Sequence, residues 1–281
     1  ISIHEEAPFK TGRVTSREEC ITLLNWAKEL GCNFIRLAHY PHNEDMVREA
    51  ERMGFMIWSE IPVYWTIQYD NKDTYQLAEQ QLMDMISRDK NRAGLILWSI
   101  ANETPVSSIR NDFLMRLAGK ARDMDNSRLI TAALETHTGN EGERVIDDPL
   151  GTAVDVIGIN NYCGWYVQEP SSCAQIKWRN TYDKPIIMSE FGAGALQGLH
   201  GAANERWTEE YQDDVYKYNI EMLKKIEFLS GVSPWILMDF RSARRHLQKI
   251  QKDFNRKGLI SEQGLRKKAF YTLQSYFKNL E

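Results

Sequence analysis

The stretch Gly94-Leu-Ile-Leu-Trp-Ser-Ile-Ala-Asn-Glu103 determines how the fold is interpreted, because an apolar run of strand length ends in two polar residues. Helix-period patterns lie on both sides of it, over about 74 to 90 and near 107 to 124. A short buried strand between two amphipathic helices is typical of a parallel sheet covered by helices. The polar pair then falls at the end of the strand where such proteins carry their chemistry.

The same alternation runs along the whole chain. Seven further apolar runs predict strands at residues 1–4, 33–38, 55–60, 129–134, 154–159, 185–190 and 232–238. Further helical patterns occupy 16–30, 43–53, 205–228 and 264–279. Ser16 is the expected N-cap of the first helix, and Gly31 marks its end. Eight strands separated by helices predict an α/β fold, a (β/α)8 TIM barrel formed by residues 1–281 as a single domain.

An open, doubly wound sheet shares this alternation of strands and helices. Such a sheet usually has fewer strands and a glycine-rich first turn, whereas this sequence contains neither G-x-G-x-x-G nor a Walker lysine motif. The chain has 281 residues, enough for two average domains. Barrels of roughly 250 residues nevertheless fold as one domain, so the single barrel is the favoured interpretation.

Composition narrows the classes of protein that fit. The chain has 35 Lys and Arg against 39 Asp and Glu, a net charge of −4, which argues against nucleic acid as a partner. Apolar residues make up 42% of the chain, enough for a large core. No apolar run approaches the roughly 18 residues of a membrane span. Cys20, Cys32, Cys163 and Cys173 form no C-x-x-C pair, so we expect four free thiols.

Two glutamates follow predicted strands that a barrel would bring together. Glu103 comes just after the fourth strand, and Glu190 ends the seventh in Ile187-Met-Ser-Glu-Phe-Gly192. Cleavage of a glycosidic bond needs one carboxylic acid to protonate the leaving oxygen and one carboxylate to attack the anomeric carbon. The pair therefore predicts a glycosidase, and a retaining one if the two carboxyl groups lie about 5–5.5 Å apart.

The sequence resembles glycoside hydrolase family 2, which includes β-galactosidases, β-mannosidases and β-glucuronidases. The resemblance rests on Asn102-Glu103, Ser189-Glu190 and Phe34-Ile-Arg-Leu-Ala-His-Tyr-Pro41, and it covers essentially the whole chain. It implies that Glu103 is the acid/base, Glu190 the nucleophile and Asn102 a ligand of the sugar 2-hydroxyl. The family normally has two β-sandwich domains before the barrel, so we expect residues 1–281 to be the catalytic domain without them.

Other residues near the predicted strand ends extend this site. His4 and His39 follow the first and second strands and match family positions that line the sugar site. Arg36 lies inside the second strand, where an unpaired charge is costly, and pairing with a catalytic carboxylate resolves this cost. Glu60 ends the third strand, and we expect it only to support the network.

Aromatic residues extend the resemblance, which within the family is strongest to the β-glucuronidases. In Asn161-Tyr-Cys-Gly-Trp-Tyr166, after the sixth strand, Tyr162 would hold Glu190 and Tyr166 would contact the sugar. Trp235, on the eighth predicted strand, matches the tryptophan that lies beside the sugar. Aromatic residues in barrels often belong to the core, so a core role is the alternative for each.

The loop after the eighth strand favours an anionic substrate. From Arg241 to Lys257 it holds seven Lys or Arg and one acid, Asp253. Such a loop over a pocket attracts anions. Asn255 and Lys257 match the Asn-x-Lys motif with which β-glucuronidases bind the C6 carboxylate. The family often has arginine where Gln251 stands, so the choice among uronic acids stays open.

We therefore expect a retaining exo-β-glycosidase that hydrolyses terminal β-D-glucuronides through a covalent glycosyl-enzyme. The alternatives are another family 2 specificity, β-galacturonidase or β-galactosidase, and a non-catalytic carbohydrate-binding barrel. No cofactor and no metal is expected, because no tight carboxylate cluster demands one. The expected partner is a carbohydrate, either a glucuronide conjugate or a uronic-acid-terminated glycan. Nucleic acid and membranes are not expected, and homo-oligomerisation stays open.

Overall fold

The computed structural model describes residues 1–10 and 12–280. Eight parallel strands pair in chain order. They are Ser2–Ile3, Phe34–Leu37, Met56–Glu60, Leu95–Asn102, Leu129–Leu134, Val156–Asn160, Ile186–Glu190 and Leu229–Val232. Ser2 N donates to Pro234 O, and Leu237 N donates to Ser2 O, both at 3.0 Å. These bonds join the last segment to the first strand and close the sheet into the predicted barrel.

Within residues 1–10 and 12–280, six α-helices cover the barrel. They are Arg17–Leu30, Glu44–Arg52, Lys72–Asp89, Ser108–Met124, Glu209–Leu223 and Lys268–Lys278. The predicted cap of the first helix is confirmed, since the Ser16 side chain accepts from Glu19 N and Gly31 ends the helix at φ 94°. Short 3-10 segments, Pro149–Thr152 and Pro170–Gln175, stand where helices would follow the fifth and sixth strands.

Side-chain alternation along the strands sets what lies inside the barrel. Ile35 and Leu37 of the second strand point outward into the main core beneath the helices. The alternation therefore turns Arg36, between them, into the barrel interior. Apolar groups such as Trp58 and Leu97 fill part of that interior. The alternation that places Ile35 and Leu37 in the core thus also directs the charged side chain of Arg36 toward the centre of the barrel.

The eighth strand lies earlier than its apolar run predicted. Its regular part is Leu229–Val232, whereas the prediction placed it at 232–238. Pro234 has no N–H to donate, so the regular ladder stops before it. The following residues still bond to the first strand, and Trp235 lies in this irregular segment. The preceding helix is also shorter than predicted, spanning Glu209–Leu223 with Thr208 as its cap.

The prediction of four free thiols is wrong for one pair. Cys163 and Cys173 form a disulfide across ten residues, while Cys20 and Cys32 are free and buried. A turn at Gly164, at φ 80°, and the 3-10 segment that contains Cys173 bring the two α-carbons to 5.6 Å. That turn depends on loop packing, which the spacing of the cysteines does not reveal.

Small sheets fold the long loops over the carboxyl ends of the barrel strands. One consists of His137–Thr138, Arg144–Ile146 and Trp178–Asn180. Another pairs Phe240–Arg241 with Phe254–Asn255 and thereby closes the basic loop on itself. Among the described residues, none of the helices has the length and apolar character needed to cross a bilayer.

Candidate active site

Glu103 stands at the mouth of the barrel, directly after the fourth strand. Its backbone is left-handed at φ 49°, which is rare for a residue with a side chain. Trp65 Nε1 donates to Glu103 Oε2 at 3.0 Å, and Asn160 Nδ2 donates to Oε1 at 2.8 Å. Both oxygens of this carboxyl group are therefore oriented by neutral donors, one from the loop after the third strand and one from the end of the sixth strand.

Glu190 ends the seventh strand and is almost completely buried. Arg36 donates to Glu190 Oε1 at 2.8 Å, and the Tyr162 hydroxyl donates to Oε2 at 2.6 Å. His39 Nε2 lies 3.8 Å from Oε1. A guanidinium group and a phenol thus fix the carboxylate, as the sequence predicted for Arg36 and Tyr162.

Asn102 connects the two glutamates. Its Oδ1 accepts from Arg36 at 2.8 Å and from Asn160 Nδ2 at 3.2 Å. Arg36 also bonds Glu190, and Asn160 also bonds Glu103. The two carboxyl groups therefore belong to one hydrogen-bonded network.

Arg36 is fully buried, and Glu60 completes its pairing. The guanidinium donates to both oxygens of Glu60 at 3.0 Å, and Trp58 Nε1 donates to Glu60 at 2.8 Å. Burial alone would raise the pKa of Glu60, but the charge of Arg36 and the hydrogen bond from His39 lower this pKa to about 2. Glu60 thus stays ionised and holds Arg36 in place, in line with its expected supporting role.

Burial raises the pKa of Glu190 above its ordinary value. The Arg36 charge opposes this shift, whereas the nearby Glu103 charge adds to it.

The two histidines predicted to line the sugar site make different contacts. His39 Nδ1 donates to the ionised Glu60 carboxylate at Oε1, 3.0 Å away, and the ring stacks on Trp235 with ring centres 4.6 Å apart. This stacked pair lies beside Glu190, since His39 Nε2 is 3.8 Å from Glu190 Oε1. His4 stacks on Phe240 at 4.1 Å and pairs with the Tyr40 hydroxyl at 2.9 Å. Burial lowers the pKa of His4 well below its usual value, so this ring is neutral.

A cationic cluster lies next to the glutamate pair. Lys257 Nζ donates to the Tyr166 hydroxyl at 2.6 Å, and Arg245 donates to the same oxygen at 3.4 Å. Lys257 Nζ also lies 5.0 Å from the centre of the Tyr162 ring, and that tyrosine bonds Glu190. Burial lowers the pKa of Lys257.

Asn255 and Gln251 shape the loop that carries this cluster. Asn255 Oδ1 accepts from the backbone N–H of Lys257 at 3.1 Å, so this side chain sets the turn that aims the lysine. Gln251 is buried, and its N–H donates to Leu247 O at 2.7 Å. Arg256 of the same loop pairs with buried Asp239 and belongs to the core.

Sequence reasoning missed Trp65 and Asn160 as partners of Glu103, and it did not single out Arg245. Asn160 had a detectable signal, because it ends the sixth strand and pairs in register with Glu190. Trp65 had none, since it reaches Glu103 through a left-handed turn at φ 57° within a long loop. Arg245 was one of seven basic residues in its loop, and only the fold selects it.

The volume of a cavity does not by itself identify the candidate active site. The larger cavity, about 540 Å³, lies at the opposite, amino-terminal end of the barrel, where Phe34, Met56 and Leu229 begin their strands. A cavity of about 300 Å³ adjoins Glu103. Among residues 1–10 and 12–280, no cluster of histidine, cysteine or carboxylate side chains could hold a metal ion.

The barrel and its carboxylate pair define the class of barrel glycoside hydrolases. The family described as "Glycosyl hydrolases family 2, TIM barrel domain" matches residues 1–281. The chain therefore belongs to glycoside hydrolase family 2, and the resemblance identified from its sequence is confirmed.

Individual relatives agree with this assignment. A β-glucuronidase of Streptococcus agalactiae is 32% identical over 285 residues, covering 92% of this chain and 46% of the relative. A β-glucuronidase of Rattus norvegicus is 30% identical, covering 99% and 43%. The solved β-D-glucuronidase of Dictyoglomus thermophilum is 25% identical with a TM-score of 0.86, covering 100% of this chain and 50% of that one. The chain spans about half the length of these relatives.

Proposed function

We propose that this chain is the catalytic domain of a retaining exo-β-glycosidase that hydrolyses terminal β-D-glucuronides. The observation that carries the proposal is that one set of contacts joins two features, a pair of glutamates and a buried lysine. Glu103 and Glu190 share a network through Asn102, and Lys257 lies against Tyr162, the direct partner of Glu190. A sugar whose anomeric carbon meets Glu190 would have its carboxylate near that lysine.

In the first step Glu190 attacks the anomeric carbon through a carboxylate oxygen. The glycosidic bond breaks, and the proton of Glu103 passes to the leaving oxygen. Arg36 and Tyr162 hold the attacking group in a fixed orientation, which removes much of the entropic cost of the encounter. The product of this step is an ester between Glu190 and the sugar.

In the second step Glu103, now a carboxylate, takes a proton from water, and the water oxygen attacks the anomeric carbon. The ester bond breaks, and Glu190 returns to its starting form. Two inversions leave the product with the β configuration of the substrate. Asn102, fixed by Arg36 and Asn160, is placed to bind the sugar 2-hydroxyl, where hydrogen bonds strengthen in the transition state.

The uronate carboxylate is assigned to Lys257 and Arg245. Both donate to one phenol oxygen, that of Tyr166, so two cationic groups converge on a single point. Opposite charge and hydrogen bonding at such a point suit a carboxylate. Arg245 supplies a guanidinium group near the Tyr166 hydroxyl. Gln251, which stands where the family often has arginine, instead donates its backbone N–H to Leu247 O within the loop. The relatives named β-glucuronidase support this substrate class.

A panel of nitrophenyl glycosides tests the proposal. The natural full-length protein should hydrolyse the β-glucuronide faster than the β-galacturonide, and the β-galactoside least. Lys257→Met should lower kcat/KM for the glucuronide by about 10- to 100-fold, because a buried charge-assisted contact is lost. The matched control is Lys252→Met, an exposed lysine of the same loop, which should change kcat/KM little.

Three outcomes would contradict the proposal. Preference for the galacturonide would assign the site to the other uronic acid, and preference for the galactoside would remove the role of the cations. Binding of glucuronate without hydrolysis of any member of the panel would indicate a carbohydrate-binding barrel.

A further inference from the structure

A second compartment of the pocket lies beside Glu103 and is called here the Glu135–Arg144 cavity. Its volume is about 300 Å³. Its lining side chains include Trp65, Glu103, Glu135, Thr136, Arg144 and Asn160. Glu190, Tyr162, Trp235 and Lys257, which form the proposed sugar site, are not among the lining residues. The cavity therefore extends from the acid/base on the side away from the nucleophile.

The position of the cavity beside Glu103 determines which part of a substrate it can bind. The acid/base must hydrogen bond the leaving oxygen, so the leaving group lies against it, while the sugar that is attacked lies against the nucleophile. A compartment that contains Glu103 and excludes Glu190 is therefore on the leaving-group side.

The lining chemistry favours a hydroxylated ring over an apolar one. Trp65 is 47% exposed and offers an indole wall, fixed by its bond to Glu103 and by Arg244, which lies 5.3 Å from its ring centre. Glu135 and Arg144 face the cavity with opposite charges, and no ion pair joins the two in the described part of the chain. Such separated, opposite groups match the neighbouring donors and acceptors of a sugar.

Arg144 is held at the cavity wall by its own loop. One terminal nitrogen donates to Thr138 Oγ1 at 3.4 Å, and the other donates to Thr136 O at 2.8 Å and to the Thr136 hydroxyl, while the buried Nε has no hydrogen-bond partner among the described residues. Burial raises the pKa of Glu135, with a further rise from the Glu103 charge, and burial lowers the pKa of Arg144. The Glu135 side chain lines the cavity and makes no hydrogen bond among the described residues, so a ligand hydroxyl would supply its partner.

We propose that the Glu135–Arg144 cavity binds the leaving group as a single neutral sugar ring, with Glu135 and Arg144 bonding its hydroxyls and Trp65 packing on its face. A volume of about 300 Å³ is at the lower end for small-molecule sites, which suits one ring and not a multi-ring aglycone. The inference rests on the proposed function, because it assigns the other half of the same substrate: a uronic acid linked to a second sugar.

The test compares two substrates in the natural full-length protein: a β-glucuronyl disaccharide with a neutral second sugar, and p-nitrophenyl β-glucuronide, which has no hydroxyls on its leaving group. Glu135→Gln keeps the shape of the side chain, and Arg144→Met removes the guanidinium. Each should lower the ratio of kcat/KM for the disaccharide to that for the aryl substrate by about tenfold. Glu141→Gln, an exposed acid of the same loop, is the charge-matched control and should keep the ratio within about twofold.

A purely structural role would lower kcat/KM for both substrates together and leave the ratio unchanged, which overturns the inference. Wild-type cleavage of the aryl substrate without cleavage of the disaccharide overturns it as well, while the proposed function stands. Cleavage of neither substrate would instead refute the proposed function. If Arg144→Met fails to fold, the ratio in the isosteric Glu135→Gln variant decides the question.

Discussion

At the scale of single residues, the two glutamates differ in the donors that hold them. Glu103 accepts from an indole and an amide, both neutral, whereas Glu190 accepts from a guanidinium group and a phenol. A cationic partner favours the charged form of a carboxyl group. This difference fits the proposed division of work, in which Glu190 attacks as a carboxylate and Glu103 delivers a proton.

The raised pKa of Glu190 makes a prediction for the pH dependence of the first step. Because the carboxylate is the attacking form, the rate of glycosylation should fall as the pH drops through a value above the ordinary 4.5 of glutamate. In Tyr162→Phe the hydrogen bond that lowers the pKa of Glu190 is absent, so this pKa should rise and the acid limb should move to higher pH. The pre-steady-state burst of a dinitrophenyl glucuronide measures this step, since its leaving group needs no acid.

An acid limb that stays in place or moves to lower pH in Tyr162→Phe would contradict this role of the hydrogen bond. Glu103→Gln, by contrast, should lose about 10²- to 10⁴-fold in kcat with a poorly activated alkyl glucuronide, which does need the acid.

Arg36 shows how far single residues were predictable. A charge inside an apolar strand must be paired, so the need for a carboxylate partner followed from the pattern, and the resemblance to the family indicated a catalytic one. The partners of Glu103 could not be predicted in this way, because Trp65 and Glu103 both adopt left-handed backbone conformations that no local sequence pattern indicates. Long-range loop packing determines those contacts.

At the scale of elements, the segment after the sixth strand is the part that the sequence described least well. The aromatic residues Tyr162 and Tyr166 were predicted, but the disulfide between Cys163 and Cys173 was not. Their spacing matches no cysteine motif, and only the packing of this segment on the helix Glu209–Leu223 brings them together. The barrel strands were predictable because their apolar runs are local signals, and the eighth shifted only where Pro234 interrupts the ladder.

This disulfide should stabilise the segment that carries both tyrosines. Replacing Cys163 and Cys173 together by alanine should lower the free energy of unfolding by about 2–3 kcal/mol, since the cross-link closes a short loop. It should also reduce kcat/KM for glucuronides, because Tyr162 and Tyr166 lose their fixed positions. Urea unfolding and steady-state kinetics, each with and without dithiothreitol, measure both effects.

The double variant is the control for the effect of dithiothreitol, because it has no disulfide between residues 163 and 173 to reduce. Dithiothreitol should weaken the wild type and have no further effect on the variant. A wild type whose stability and activity are unchanged by the reductant would contradict a structural role for this cross-link.

At the scale of the whole molecule, one buried cluster ties the end of the barrel to the last helix. Lys267 is fully buried and donates to both oxygens of Asp239, at 2.8 and 3.0 Å. It also donates to Ala195 O at 2.7 Å and to Arg256 O at 3.1 Å. The cluster thereby joins segments after the seventh and eighth strands, and it fixes the loop position next to Lys257.

Lys267→Met should cost about 3–5 kcal/mol of unfolding free energy, because it leaves Asp239 buried with its main partner removed. The neighbouring Lys268 is half-exposed and makes only long ion pairs, so Lys268→Met should cost no more than about 0.5 kcal/mol. Chemical denaturation of both variants gives the comparison. Equal losses would show that the buried cluster contributes nothing beyond an ordinary surface charge.

The central claim is that Glu190 becomes covalently bonded to the sugar, and trapping that intermediate tests it most directly. A 2-fluoro-glucuronyl fluoride should inactivate the protein, and intact mass followed by peptide sequencing should place one fluoroglucuronyl group on Glu190. Glu190→Gln should remain unlabelled. A label on another residue, or none with a protein that still hydrolyses glucuronides, would contradict the account.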